Sequence, residues 1–584
     1  MRRTALIAAS IAALLLVGPA AAQFAPSPSE PPPPEIATGS KPRPIVTAKR
    51  WMAATANPHA TEVAAEMLRA GGSAVDAAIA AQLVLGLVEP QSSGLGGGAF
   101  LLHWSAADRS LTTLDGRETA PAAATPTLFQ NAVGEPLTFM EAVIGGRSVG
   151  TPGTPRLIEA AHRKFGKLAW ARLFEPAMRL AEQGFDVSPR LAGQIAAAAP
   201  TLARDPAAAS YFAPGGAPLR AGDRLMNPAY AETLKALRDG GADAFYDGPI
   251  AADVVSAVRN ARNPGALTPQ DISRYAVVER EAVCAPYRVY QVCGMGPPSS
   301  GGIAIAQILG MLEPTNLSVL GPKSPEAWRR IGDASRLAFA DRERYVADPA
   351  FTPQPTQGLV ARDYLAERAK LLSGDRALGE APAGSPRFSH ARLFAPDPAL
   401  EFAGTSHLSV VDADGNVVAM TTTIEAGFGS RVMARGFLLN NELTDFSFRS
   451  HKDGVPVANR VEPGKRPRSS MAPTIVLKDG RPVLTLGSPG GSQIIGYVAK
   501  ALVAHLDWGM DVAAAAALPN MLNRNGPFEL EKGTEAEAMA EPLKALGFDV
   551  KIADMTSGLQ AIAIGPEGLA GGVDPRREGL AIGE

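Results

Sequence analysis

The sequence predicts an α+β fold, and three observations carry that expectation. Residues 405–424 read as a β-hairpin. A second hairpin is expected between Ile475 and Leu486. Helical periods, such as the run Trp328 to Phe339, are interleaved with these strands without a clear internal linker. A length of 584 residues is nominally enough for three or four domains. The interleaving argues instead for one large unit.

The N-terminus reads as a targeting segment. Met1-Arg2-Arg3 is a short basic region, Ala5 to Val17 is apolar, and Ala20-Ala21-Ala22 offers small residues for cleavage. Residues 1–22 are therefore expected to be a secretory signal peptide, cut after Ala22. The apolar run is too short for a membrane anchor. Residues 23–47 are rich in Pro and are expected to form a flexible leader. Export to the periplasm or the medium follows, with no membrane attachment after the signal is removed. Lys and Arg total 56 against 58 Asp and Glu, a net charge of −2. That balance offers no support for a nucleic-acid partner or a strongly charged membrane surface. Cys284 and Cys293 are the only cysteines. Two cannot build a four-ligand zinc site, and in an exported protein a disulfide between them is expected.

Asn57-Pro58 precedes a helical period from Ala60 to Arg69, which Gly71-Gly72 breaks; a second helix covers Ala74 to Val88. Gly94 to Gly98 then leads into a strand at Phe100-Leu101-Leu102. The spacing of Gly94, Gly96 and Ala99 fits a dinucleotide fingerprint formally. The order of elements is reversed, however, so a tight turn is the better reading. Helical periods follow in 155–185, 230–260, 301–313 and 325–372, with a strand from Tyr287 to Met295. Residues 373–404 are rich in Pro, Ala and Gly and form an exposed connector that ends at Thr405.

The hairpin after this connector is unusual in its polar ends. Leu408 and Val410 share one face, and Asp414-Gly415 makes the turn. Thr405 opens the first strand, and Thr421, Thr422 and Thr423 close the second, so these hydroxyls meet side by side. A simple hydroxyl ladder would also account for them. In the second hairpin, Ile475 to Leu477 and Val483 to Leu486 flank Asp479-Gly480. Gly487-Ser488-Pro489-Gly490-Gly491 then opens a helix through Ile494, Val498 and Leu502.

Several stretches together carry a resemblance. They are Ser93 to Phe100, Gly116-Arg117-Glu118-Thr119-Ala120-Pro121, and Pro297 to Gly302. Thr405-Ser406-His407-Leu408-Ser409-Val410 follows, with Asp414 to Glu425. Leu439 to Glu442 with Asp445-Phe446, Lys465 to Met471, and Gly487 to Ser492 complete the series. In this order, over roughly residues 48–577, they resemble the γ-glutamyltransferases, which are N-terminal-nucleophile hydrolases. The resemblance implies a four-layer αββα sandwich, formed by two subunits cut from one precursor. The large subunit would span 48–404 and the small, catalytic one 405–584.

It also implies a chemistry. Thr405 attacks the carbonyl of Gly404, and the resulting ester is hydrolysed. The freed α-amine then serves as the base for its own hydroxyl, which alone is a weak nucleophile. Thr423 matches the threonine that hydrogen-bonds the nucleophile. Gly490 and Gly491 match the pair whose amides hold the oxyanion. Arg117, Ser469 and Ser470 match the set that binds the substrate's α-carboxylate, a role that suits the planar fork of Arg. Asp445 matches the partner of the α-ammonium, and Glu442 and Glu425 stand where further polar contacts are made. His407, two residues along the strand, is better read as structural than as the base. The implied donor is glutathione or a related γ-glutamyl compound, and the acceptor is water, an amino acid or a peptide. No metal or organic cofactor is implied.

Two departures stand out. Many relatives carry Asn where this chain has Glu425. Residues 446–464 form a shorter loop than the lid of lid-bearing members and lack Tyr. Two rivals remain: a glutaryl or cephalosporin acylase on the same scaffold, and an uncleaved pseudoenzyme that only binds. The acids Asp445, Glu442 and Glu425 argue against the first, since a glutaryl group has no ammonium. Intact Thr405, Thr423, Gly490 and Gly491 argue against the second.

Overall fold

The computed structural model describes residues 37–39, 42–388, 394–397, 401 and 404–584. The expected signal peptide, most of the leader, and parts of the connector before Thr405 lie outside the described residues. No helix among the described residues is long and apolar enough to cross a membrane.

Two seven-stranded antiparallel sheets form the centre. The first runs in the order Leu580–Gly583, Met52–Thr55, Thr405–Val411, Val417–Thr423, Gly98–Ser105, Ser110–Gly116, Val278–Arg280. The second runs Val46–Ala48, Gly568–Val573, Gln560–Gly565, Arg481–Gly487, Thr474–Lys478, Tyr290–Gly294, Val283–Tyr287. They meet face to face: the Ser409 hydroxyl on the first sheet donates to the Gln560 carbonyl on the second at 3.0 Å.

The alternation along the strand from Thr405 decides which residues face which layer. Leu408 and Val410 point away from the second sheet, into a core with the helices Pro58–Arg69 and Ala74–Val88. The latter helix is buried at every residue and opens with a capping box between Ser73 and Asp76. On the far side, helices Gly301–Leu312, Pro325–Tyr345 and Ile494–Leu506 share a core with Ile475, Leu484 and Ile562. The result is a four-layer αββα sandwich.

The hairpin that begins at Thr405 pairs Thr405 with Thr423 and Leu408 with Met420. Its turn is organised by Asp412, whose Oδ1 accepts from the amides of Asp414 and Asn416 at 3.0 and 2.9 Å. The second hairpin turns through Asp479 and Gly480, both at positive φ (51° and 67°), which matches the right-handed twist of the strands.

Two expectations need correction, and two helices were not expected. The single strand expected over Tyr287 to Met295 is two strands, joined at Arg288-Val289 with Arg288 at φ 53°. The turn contains no Gly or Pro, so nothing in the apolar run marks it. The first helix starts at Pro58, because the Asn57 side chain caps it by accepting from the His59 amide. Helices Pro189–Leu202 and Pro206–Phe212 were not anticipated; their Ala-rich stretches carry too weak a period, and Pro200 interrupts the first.

Cys284 and Cys293 face each other across the 283–294 hairpin and form a disulfide. The loop it closes is short, so reduction should lower stability by about 2–3 kcal/mol. Thiol titration of the unfolded, non-reduced protein should find no free thiol.

Candidate active site

Thr405 sits at the end of a central strand and is 3% exposed. A directed run of hydrogen bonds converges on the bond before it. The Glu425 amide donates to the Thr423 hydroxyl at 2.8 Å, and that hydroxyl donates to the Gly404 carbonyl oxygen, also at 2.8 Å. The Thr405 hydroxyl donates to Thr423 Oγ1 at 3.3 Å. Thr423 therefore does two things at once. It polarises the carbonyl of residue 404 and accepts from the hydroxyl that adjoins it.

The backbone packs closely here. A Cβ on Gly404 would stand 2.1 Å from the Glu425 carbonyl oxygen, and Glu425 itself holds φ at 76°. Such a contact is far below van der Waals separation, so Gly404→Ala should displace the carbonyl from the Thr423 hydroxyl. Any self-cleavage should slow by at least about tenfold, as misplaced reacting groups do; time-resolved denaturing gels would measure it.

The turn from Gly487 to Gly491 approaches the same place. Arg577 donates to the Thr405 carbonyl at 3.2 Å. Both Arg577 and Pro489 pack against Gly558, which has no room for a side chain. Gly490 and Gly491 follow at φ 139° and 56° and lead through a short 3₁₀ turn into the helix Ile494–Leu506. Neither amide donates a hydrogen bond among the described residues. Donors of this kind, at the start of a helix, are suited to a developing negative charge.

Beside this centre lies a buried cluster of charge. Arg117 pairs with Glu442 and Asp445 and donates to the carbonyls of Pro467 (3.2 Å) and Arg468 (2.8 Å). The residues that follow are Ser469 and Ser470. Burial works against the Arg117 charge, but Glu442 and Asp445 outweigh it and hold the guanidinium above its ordinary pKa. The acids respond the other way. Burial pushes Glu442 and Asp445 well above the carboxylate range and Glu118 to about 8. Among the described residues, the Glu118 carboxyl and the second oxygen of Glu442 have no side-chain donor other than each other. The two carboxyls stand against each other, so a shared proton accounts for both. Glu425 accepts from the Asn441 side chain. The Ser470 hydroxyl accepts from Arg342 at 2.8 Å, and Ser469 Oγ accepts from the Met471 amide at 3.1 Å.

His407 is structural in geometry. The Ser409 hydroxyl gives its proton to the Gln560 carbonyl, so His407 Nε2 must donate to Ser409 Oγ (3.1 Å). Its Nδ1 then accepts from Thr421 (2.8 Å). Burial lowers its pKa to about 3 from 6.5. The unfolded chain therefore binds a proton that the folded one rejects between these values. Its contribution to stability is complete above about pH 6.5 and is lost as pH falls toward 3. Urea unfolding should show the stability difference between wild type and His407→Gln growing from pH 4 to 6.5, then levelling.

A sequence profile of the family described as gamma-glutamyltranspeptidase matches residues 60–584. The glutathione hydrolase proenzyme of Bacillus subtilis (strain 168) is 38% identical over 548 residues, 92% of each chain. That of Escherichia coli (strain K12) is 38% identical over 545 residues, 91% of each. The chain belongs to the γ-glutamyltranspeptidase family. Among solved structures, a cephalosporin acylase from Bacillus halodurans superposes with a TM-score of 0.81 at 26% identity, covering 94% of this chain and 99% of that one.

Within this family scaffold, the catalytic and substrate-binding candidates from the sequence lie at the 404–405 junction, at the glycine turn or in the acid cluster. Four neighbours were missed. Glu118 adjoins Arg117, and its burial is the only sign of it. Arg342 and Arg577 lie in a long helix and near the C-terminus, where an arginine reads as surface. Glu401 lies in the low-periodicity connector. A cavity of about 820 Å³ between strand Val283–Tyr287 and the helices Gly301–Leu312 and Arg362–Ala369 contains none of these residues.

Proposed function

We propose that this protein is a self-cleaving γ-glutamyltransferase and glutathione hydrolase, with Thr405 as nucleophile. The observation that carries the reading is the run of hydrogen bonds from Glu425 through Thr423 to the Gly404 carbonyl. In maturation, Thr405 Oγ1 adds to that carbonyl while Thr423 holds its oxygen. The C–N bond breaks, the hydroxyl proton passes to the departing nitrogen, and residue 404 is left as an ester on Thr405. Water hydrolyses the ester, restoring the hydroxyl and leaving a carboxylate on Gly404. The products, a large subunit ending at Gly404 and a small one starting at Thr405, pair as a heterodimer. That the similar Bacillus and Escherichia proteins are named proenzymes supports this order of events.

In turnover the new α-amine, ordinarily near pKa 8, takes the Thr405 hydroxyl proton. Oγ1 attacks the γ-carbonyl of a donor such as glutathione, and the amides of Gly490 and Gly491 hold the oxyanion. The leaving amine takes the proton, and the γ-glutamyl ester passes to water or to the amine of an amino acid or peptide. Arg117, Ser469 and Ser470 bind the donor's α-carboxylate, and Asp445, Glu442 and Glu425 its α-ammonium. Export to the periplasm or medium follows from the N-terminal reading.

The likeness to a cephalosporin acylase favours a second reading, in which the acyl group is glutaryl. The buried acids weigh against it: a glutaryl carboxylate would draw on Arg117, the cation that pairs with Glu442 and Asp445, and would bring no ammonium to replace it. Release of aniline from a γ-glutamyl anilide, with and without a dipeptide acceptor, tests the first reading. No turnover by the cleaved protein would overturn it.

A further inference from the structure

Glu401 lies three residues before the 404–405 junction, and its carboxylate does not face solvent. It is 8% exposed. One oxygen pairs with Arg342, with Arg468 Nε 3.9 Å away. The other accepts from the Ser470 amide at 2.5 Å. Arg342 also donates to the Ser470 hydroxyl at 2.8 Å and to the Ser300 hydroxyl at 2.9 Å. The Glu401 carbonyl accepts from the Ser492 amide at 3.2 Å, just past Gly490 and Gly491.

We propose that Glu401 is a carboxylate by which the uncut chain fills its own substrate pocket, and that Arg342 is a further carboxylate-binding residue of that pocket. The two statements rest on one contact set. A carboxylate that spans the Ser470 amide and a buried guanidinium is placed as a substrate's α-carboxylate would be, given the reading of Arg117, Ser469 and Ser470 above. Arg342 is buried beside Arg468; Asp397 pairs with Arg468 at 3.2 Å, and Glu401 is the carboxylate that pairs with Arg342, so Arg342 requires an anion in that place. Burial, and then Arg468, lower the Arg342 pKa to about 10, which leaves it charged at neutral pH.

In the uncut chain the anion is covalently tied to Thr405. Glu401 is held at its carboxylate and carbonyl, and Gly404 at its carbonyl by Thr423. Cutting after Gly404 removes the tie. A free α-carboxylate can then displace Glu401 without leaving Arg342 unpaired at any stage.

The test uses Thr405→Ala, which stays uncut, and L-glutamate as probe in calorimetry. The double variant Thr405→Ala/Glu401→Ala should bind L-glutamate at least about tenfold more tightly than Thr405→Ala alone. Adding Arg342→Gln should abolish that gain. Glu401→Gln keeps the shape without the charge and is scored in the same way where the alanine variant does not fold, as judged by thermal melting. Equal glutamate binding with and without Glu401, in folded samples, overturns the plug; a triple variant that binds like the double overturns the role of Arg342. Cleaved wild type that turns over γ-glutamyl anilide alongside equal binding by the uncut variants sinks only this proposal. Cleaved wild type without turnover sinks the functional reading beneath it.

Discussion

Thr405→Ala should migrate as one uncut chain on a denaturing gel and show no turnover, a loss of at least about 10⁴-fold on the scale of removed nucleophiles. The effect should be this large because one oxygen atom serves both steps. Thr405 Oγ1 is the atom beside the Gly404 carbonyl, and no other hydroxyl replaces it: Thr423 already spends its proton on that carbonyl. Thr405→Ser keeps a hydroxyl, so it should cut, more slowly, and retain part of the activity. Thr423→Ala should weaken both steps without abolishing either, since it removes the group that orients the nucleophile and polarises the carbonyl. N-terminal sequencing of the small subunit should read Thr-Ser-His-Leu-Ser. Wild type that remains uncut yet turns over γ-glutamyl substrates would show that Thr405 does not act through a free α-amine.

The second large effect concerns donor choice. A γ-glutamyl anilide should exceed the matching glutaryl anilide by at least about a hundredfold in kcat/KM. The two differ only in the α-ammonium. Without it, Arg117 must serve both the donor's carboxylate and the buried acids Glu442 and Asp445, and sites built for a polar group reject analogues that lack it. Asp445→Ala should therefore reduce γ-glutamyl turnover by a similar factor while changing glutaryl turnover little. Because Asp445 also pairs with Arg117, the variant should be checked for folding by thermal melting, and its KM should rise more than its kcat falls. Comparable rates for the two anilides in the wild type would favour the acylase reading.

How much of this was legible depended on whether the information was local. The hairpin from Thr405 was legible because alternation and the Asp414-Gly415 turn are written within twenty residues. So was the helix from Ala74 to Val88, whose apolar run begins at a capping box. The turn at Arg288-Val289 was not legible, since neither residue is a usual turn former and the fold imposes the positive φ. Arg117 and Asp445 were legible as site residues only through the ordered motifs they stand in. Their mutual pairing was not, because they lie far apart in the chain and meet through the cluster around Ser469 and Ser470.

By itself, the sequence determined the mixture of strands and helices, the hairpin whose ends bring Thr405 to Thr423, the glycine turn before a helix, and the membership of ordered motifs in one family. These are properties of short segments: side-chain period, turn chemistry and the conformational freedom of glycine. Only the tertiary structure decided that Thr423 aims its proton at the Gly404 carbonyl, that His407 is kept neutral between two hydroxyls, and that Glu401 enters the pocket of Arg342 and Ser470. Each of these depends on burial and on a contact between segments distant in sequence. A hydroxyl's direction and a carboxylate's partner are set by whatever the packed fold brings within 3 Å, and that is not encoded in the residues on either side.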